Sequence, residues 1–119
     1  MLITGTFIDE ISHDIPHQNW GTKEWEQDFV HMKNIGIDTV IMIRSGYRKF
    51  ITYPSAYLIS KGCYKPPVDL VALCLSLADK YQMQFYFGLY DSGEYWDTGD
   101  LTKEIESNKF VIDEVWKQY

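Results

Sequence analysis

Carboxylates, a guanidinium and aromatic rings are the side chains of this sequence that could do chemistry. Asp9-Glu10 form one acidic pair, Asp91 and Glu94 a second, and Arg44 falls between them. Two carboxylates facing one cleft are what hydrolysis of a glycosidic bond requires, one as acid and the other as nucleophile or base. Where the chain is extended, Phe7 and Asp9 share a side while Ile8 and Glu10 take the other, so Asp9 is the member expected to face a site. The bland alternative for Asp9 is a loop-starting Asx turn or a solvated charge. Arg44 could bind an acidic group, or simply orient Asp9 by a charged hydrogen bond.

The rings fall near these groups. Trp20 follows the first acidic pair, Tyr47, Phe50, Tyr53, Tyr57 and Tyr64 follow Arg44, and Tyr95-Trp96 follow Asp91. A flat apolar face beside carboxylates suits a sugar, whose C–H faces stack while its hydroxyls take hydrogen bonds. The competing expectation is that these rings pack their own loops. The candidate substrate-binding set is Asp9, Trp20, Arg44, Tyr47, Asp91, Tyr95 and Trp96. No catalytic pair is assigned, with Asp9 and Asp91 the candidates for it.

Other chemistries find little support. His13 and His17 have the i, i+4 spacing of metal ligands on a helix, but Asp14-Ile15-Pro16 between them speaks against a helix, and no metal is expected. Cys63 and Cys74 have no metal or redox spacing, and Cys74 sits in an apolar helical pattern where a buried thiol is the ordinary outcome. There is no G-x-G-x-x-G turn, P-loop or G-x-S-x-G elbow, so no cofactor is expected either.

The elements that must position these groups follow from periodicity. Residues 2–8 read as a strand. Thr22 is placed to cap a helix whose Trp25, Phe29 and Met32 form one face, ended by Gly36 with Ile37 folding back on Met32. Residues 39–43 are a continuous apolar run, as in strands buried on both faces. Residues 45–67 read as irregular. Leu70, Leu73, Leu77 and Tyr81 then mark a second helix, residues 83–90 a third strand, and Leu101, Ile105, Ile112, Val115 and Trp116 a final helix. Repeated βα units of this kind imply a parallel sheet with right-handed crossovers. Helix-to-strand joints are minimal and strand-to-helix loops long, which puts function at the C-terminal ends of the strands.

Length and charge set bounds. The 119 residues carry 17 acidic and 11 basic side chains, a net charge of −6. That balance argues against nucleic-acid and anionic-membrane partners, because the densest basic pair is Arg48-Lys49. With nine Tyr, six Phe and four Trp, the aromatic share of 16% is the compositional excess that needs a place. Three βα units are less than half of an eight-fold barrel of about 250 residues.

Several segments together resemble a known family. These are Ile3-Thr4-Gly5-Thr6-Phe7-Ile8-Asp9, Trp20 with Trp25, the run Met32-Lys33-Asn34-Ile35-Gly36-Ile37-Asp38-Thr39-Val40-Ile41, Tyr53-Pro54-Ser55, and Ala78-Asp79-Lys80-Tyr81 leading to Phe87-Gly88-Leu89. The chain resembles the N-terminal part of a largely uncharacterised bacterial family of glycoside-hydrolase-like TIM barrels. The resemblance implies an α/β fold of three βα units forming the first part of a (β/α)8 barrel over residues 1–119, and a carbohydrate-related role outside the cytoplasm. It also implies O-glycosyl hydrolase chemistry, with the catalytic carboxylates on strands after the third unit, so that this chain is expected to be catalytically incomplete. The expected ligand is a saccharide. An open three-stranded sheet exposes edges and its barrel-facing side, so a homo-oligomer is expected to cover it. The alternative to the carbohydrate role is a self-associating structural or interaction module.

Overall fold

The structure, a computed structural model, describes residues 2–9 and 20–119, which leaves Glu10, His13 and His17 outside the described residues. Its elements are β1 (Gly5–Ile8), α1 (Thr22–Asn34), β2 (Thr39–Met42), β3 (Gly46–Tyr47), β4 (Phe50–Ile51), α2 (Ala56–Ser60), α3 (Leu70–Lys80), β5 (Gln84–Tyr86), β6 (Tyr90–Asp91), α4 (Glu94–Thr98) and α5 (Thr102–Gln118). The chain is an α/β protein built on βα units. β1, β2 and β5 form a parallel sheet in that order, with Thr6, Val40 and Phe85 in one row and Phe7, Ile41 and Tyr86 in the next.

Alternation along the strands separates two faces. Ile8, Val40 and Met42 are buried on the face covered by the helices, against Trp25, Phe29 and Met32 of α1 and Val71, Cys74 and Leu77 of α3. Phe29, Val40, Met42 and Cys74 are wholly buried, and truncating a ring such as that of Phe29 to Ala costs about 3–5 kcal/mol. The opposite face is open, with Phe7 65% and Tyr86 55% exposed.

The helix ends follow local chemistry. The N–H of Gly36 donates to Lys33 O and that of Ile37 to Met32 O, with Gly36 at φ +92°, so α1 ends in the expected Schellman motif. Its start differs from expectation. Gly21, not Thr22, is the N-cap, and its N–H donates to the Glu24 carboxylate at 3.0 Å. Asp69 caps α3 by accepting from the N–H of Ala72 at 3.0 Å, and Ser55 caps α2 by accepting from that of Leu58 at 3.0 Å.

Two larger differences lie past the sheet. Residues 45–67 are not wholly irregular, because β3, β4 and α2 form there. The third strand is not continuous either, since it breaks after Tyr86 and resumes as β6, which pairs parallel with β3 while β3 pairs antiparallel with β4. Ile41 pairs with Tyr86 but Gly46 with Tyr90, so residues 42–45 on one strand face residues 87–89 on the other. That is a bulge of one extra residue, the device that re-aims side chains near sites. Gly88 permits it, because a Cβ there would overlap the Met42 and Ile43 carbonyls.

The last helix buries a different stripe from the one its apolar residues suggested. Leu101, Ile105, Ile112 and Trp116 are exposed, Trp116 by 86%, while Val111 is wholly buried and Val115 partly so. Polar contacts hold α5 as well. Glu104 accepts from the N–H and hydroxyl of Ser92. Asn108 pairs with both backbone groups of Tyr90 at 2.8 Å each. Glu114 accepts from the Tyr53 hydroxyl at 3.0 Å, the Tyr57 N–H at 2.9 Å and the Ser55 hydroxyl.

Gly88→Ala is expected to destabilise the fold by about 3 kcal/mol, as overpacking against rigid backbone does; urea unfolding measures this, and a loss under 1 kcal/mol would mean the bulge can relax. Between α1 and α3, hydrogen bonds from Lys80 and Tyr81 hold the Glu26 carboxyl below its ordinary value of 4.5. A lowered folded value gives stability that is present above the unfolded value and lost as pH falls through the folded one. Thermal melts should therefore show a weaker decline in Tm below pH 4.5 for Glu26→Gln than for the parent chain.

Candidate functional site

The C-terminal ends of the strands carry the candidate groups. β1 runs out into Asp9, Arg44 sits in the bulge after β2, Tyr47 is in β3, Asp91 is in β6, and Tyr95 and Trp96 are in α4. Strict alternation would place Arg44 with Val40 and Met42 under the helices. The extra residue of the bulge breaks that phase.

Arg44 is the centre. Its Nη2 lies 3.7 Å from Asp9 Oδ2 and its Nη1 3.9 Å from Asp91 Oδ2, each of the three side chains being about a quarter exposed, at 26%, 24% and 27%. At those lengths the contacts are electrostatic rather than tight hydrogen bonds. Arg44 Cζ stands 4.5 Å from the Tyr47 ring centroid, a cation–π contact, and Arg44 Nε is buried with no partner among the described residues.

The rings are tethered as well. Trp96 Nε1 donates to Asp91 Oδ2 at 3.4 Å, while its indole is 72% exposed. Tyr95 meets Trp96 edge to face at 5.5 Å. Asp91 Oδ1 accepts from the Gly93 N–H at 2.8 Å, closing the turn that starts α4. Tyr47 OH accepts from Arg48 Nε at 3.0 Å. A cation between two carboxylates, floored by one ring and flanked by an exposed indole, can donate to and accept from a polyol while a ring face covers its C–H surface.

Six of the seven expected residues, Asp9, Arg44, Tyr47, Asp91, Tyr95 and Trp96, are linked through these contacts. The seventh, Trp20, packs its ring edge-on to Trp25 at 5.1 Å and against the core. Other rings named from sequence serve packing. Tyr53 is wholly buried, its phenol pushed above its ordinary value mainly by burial, and Tyr57 stacks on Phe110 at 4.2 Å. Phe50 and Tyr64 pair edge to face at 5.5 Å. Among the described residues no group of His, Cys, Asp or Glu could hold a metal ion.

Sequence reasoning missed Glu104 and Asn108, which fix the backbone of Tyr90 and Ser92 and so place Asp91 between them. A signal existed, because residues 104, 108, 111 and 115 share one helical stripe with the buried Val111.

Comparison with known proteins agrees with this architecture. The family model described as Domain of unknown function (DUF4434) matches residues 3–119. The chain belongs to that family. Among solved structures, the DUF4434 chain is similar to the crystal structure of a "putative alpha-L-fucosidase" from Bacteroides thetaiotaomicron VPI-5482, with 79% identity and a TM-score of 0.92 over 98% of this chain. It spans 37% of the length of that protein. No curated protein matches the chain. The likeness extends over nearly the whole of this chain, so the α/β fold with its three-stranded parallel sheet is shared with part of that bacterial protein.

Removing the Asp91 carboxylate should free the indole it tethers. Asp91→Ala is expected to speed hydrogen exchange of the Trp96 indole N–H several-fold and leave that of Trp25 unchanged, as followed by NMR; equal exchange in parent and variant would show that the tether does not hold in solution.

Proposed function

We propose that this chain supplies one wall of a saccharide-binding cleft in a glycoside-hydrolase-like barrel, and that the sugar is a neutral hexose of the α-L-fucoside type. The observation that carries the reading is the Asp9–Arg44–Asp91 cluster with its exposed Trp96 face, at the strand ends where barrels bind substrates. The name of the Bacteroides relative supports the choice of sugar. A 6-deoxyhexose pairs an apolar methyl group with ring hydroxyls, matching an indole beside carboxylates. In this reading Asp9 and Asp91 accept from hydroxyls, Arg44 holds both carboxylates in place, and the acid and base of hydrolysis come from strands beyond these three units. The protein would then act on glycans outside the cytoplasm; none of the described helices is long and apolar enough to cross a membrane.

Titration with α-L-fucosyl oligosaccharides should shift Trp fluorescence. Trp96→Ala should abolish the shift and Arg44→Ala should weaken binding at least tenfold. No response to any saccharide would overturn the reading, and turnover of an aryl α-L-fucoside that is lost in Asp9→Asn would overturn the assignment of catalysis to later strands.

The open sheet face favours a second reading, an interaction module whose row of exposed Phe7 and Tyr86 with the partly buried Ile41 between them is covered by a second copy. Light scattering should then report a dimer, and Tyr86→Glu should return it to a monomer; a monomer at all concentrations removes this reading.

A further inference from the structure

A second concave surface adjoins the Arg44 cluster, its Arg48 standing over the same Tyr47 ring that Arg44 contacts, between the β3–β4 hairpin with α2 on one side and the α4–α5 segment on the other. This cleft has a volume of about 720 Å³, within the range of about 300–1,000 Å³ typical of small-ligand sites. Its charge is opposite to that of the chain. Arg48, Lys49, Lys61 and Lys103 line it against only Glu94 and Glu106, in a protein of net charge −6. Lys103 is paired with Glu94 at 2.8 Å. Lys49 and Lys61 have no ion-pair partner among the described residues. Each ammonium instead stands over a ring, Lys49 Nζ at 5.9 Å from the Tyr64 centroid and Lys61 Nζ at 5.7 Å from that of Tyr57.

The walls are fixed in advance. Arg48 takes a left-handed conformation at φ +55°, uncommon for a residue with a side chain. It is held there by its N–H on Asp91 O at 2.9 Å and by the Tyr90 hydroxyl, which donates to its carbonyl at 2.6 Å. Tyr57 is set by its stack on Phe110 and by Glu114 on its N–H. The Tyr64 N–H donates to Lys49 O at 2.8 Å, which ties that backbone to the hairpin tip, and its ring meets Phe50 edge to face. Two ammonium groups beside two rings form a surface that attracts a negative charge carried on a flat, partly apolar body.

We propose that this cleft binds an acidic saccharide, a pyranose carrying a carboxylate or a sulfate, with its ring face on Tyr57 or Tyr64 and its anionic group between Lys49 and Lys61. Lys49 and Lys61 take no part in the Arg44 cluster, so this site and the neutral-sugar reading above can fail separately. The site lets the protein hold an acidic branch of a glycan while the Arg44 cluster meets a neutral unit.

Calorimetric titration with tetragalacturonate, its fully methyl-esterified form, a 6-O-sulfated N-acetylglucosamine disaccharide and inorganic sulfate tests this. At least one of the two acidic sugars should bind and weaken at least tenfold in the Lys49→Ala/Lys61→Ala double variant. Binding should also fall as salt rises from low to physiological strength, and the methyl ester should bind at least tenfold more weakly than the free acid. Both lysines are solvent-exposed, so the variant should keep the parent's Tm and its fluorescence response to the neutral panel. Equal binding of the acid and its ester, undiminished binding in the double variant, or no binding of either acidic sugar overturns the proposal. Inorganic sulfate binding as tightly as the sulfated disaccharide reduces the cleft to a bare anion site and overturns the saccharide class.

Discussion

The one-residue slip between β2 and the third strand is the constraint on which the charged cluster at the strand ends depends. Up to Ile41 and Tyr86 the strands pair in simple parallel register, and the helices need nothing more to bury Val40 and Met42. Past that point the extra residue turns the chain, so that Arg44 leaves the helix-covered face and the strand resumes as β3. Everything at the strand ends inherits that turn, including the hairpin that presents Arg48 and Lys49 and the placement of Asp91 opposite Asp9. Because Gly88 is the residue that lets the backbones approach, the geometry of a charged cluster rests on a position without any side chain.

A division of labour follows. The sheet and the helices α1 and α3 form an apolar body held by burial, which is non-directional. The strand-end region is held instead by directional contacts that reach in from α5, where Glu104, Asn108 and Glu114 each satisfy donors or acceptors of a different loop. Burial can set how far apart two layers sit, but not which way a loop carbonyl points. Hydrogen bonds can, and the rings of Tyr53 and Tyr57 and the carboxylate of Asp91 are positioned by them.

Much of this was legible in the residues. Apolar spacing gave α1, α3 and the parallel strands, and the Gly36-Ile37 ending followed from backbone stereochemistry. Long strand-to-helix loops and strand parity pointed to Asp9 at the strand ends, and the structure sets it 3.7 Å from Arg44 there. The bulge was not legible, because a slip of one residue leaves no mark in the pattern beyond Gly88, which any tight turn could require. The role of α5 was misread for a similar reason. Its anchoring stripe contains Glu104 and Asn108, which hydrophobic periodicity scores as solvent-facing, while its most apolar stripe, ending in Trp116, is exposed. The contact of Trp20 with Trp25 was not legible either, because only its place in the sequence groups Trp20 with the other rings.

The pairing of Asn108 with Tyr90 has one more implication. In β6 the carbonyls of Leu89 and Asp91 point toward the β3 side, where the N–H groups of Ser45 and Arg48 take them, so the N–H and C=O of Tyr90 point outward. The Asn108 amide meets both, in the manner of a neighbouring strand two atoms wide. The sheet is therefore terminated at that level by its own helix. On this side of the sheet an additional strand could join along β5, below this stop, which gives that edge a defined length and keeps stray strands from running up into the charged cluster.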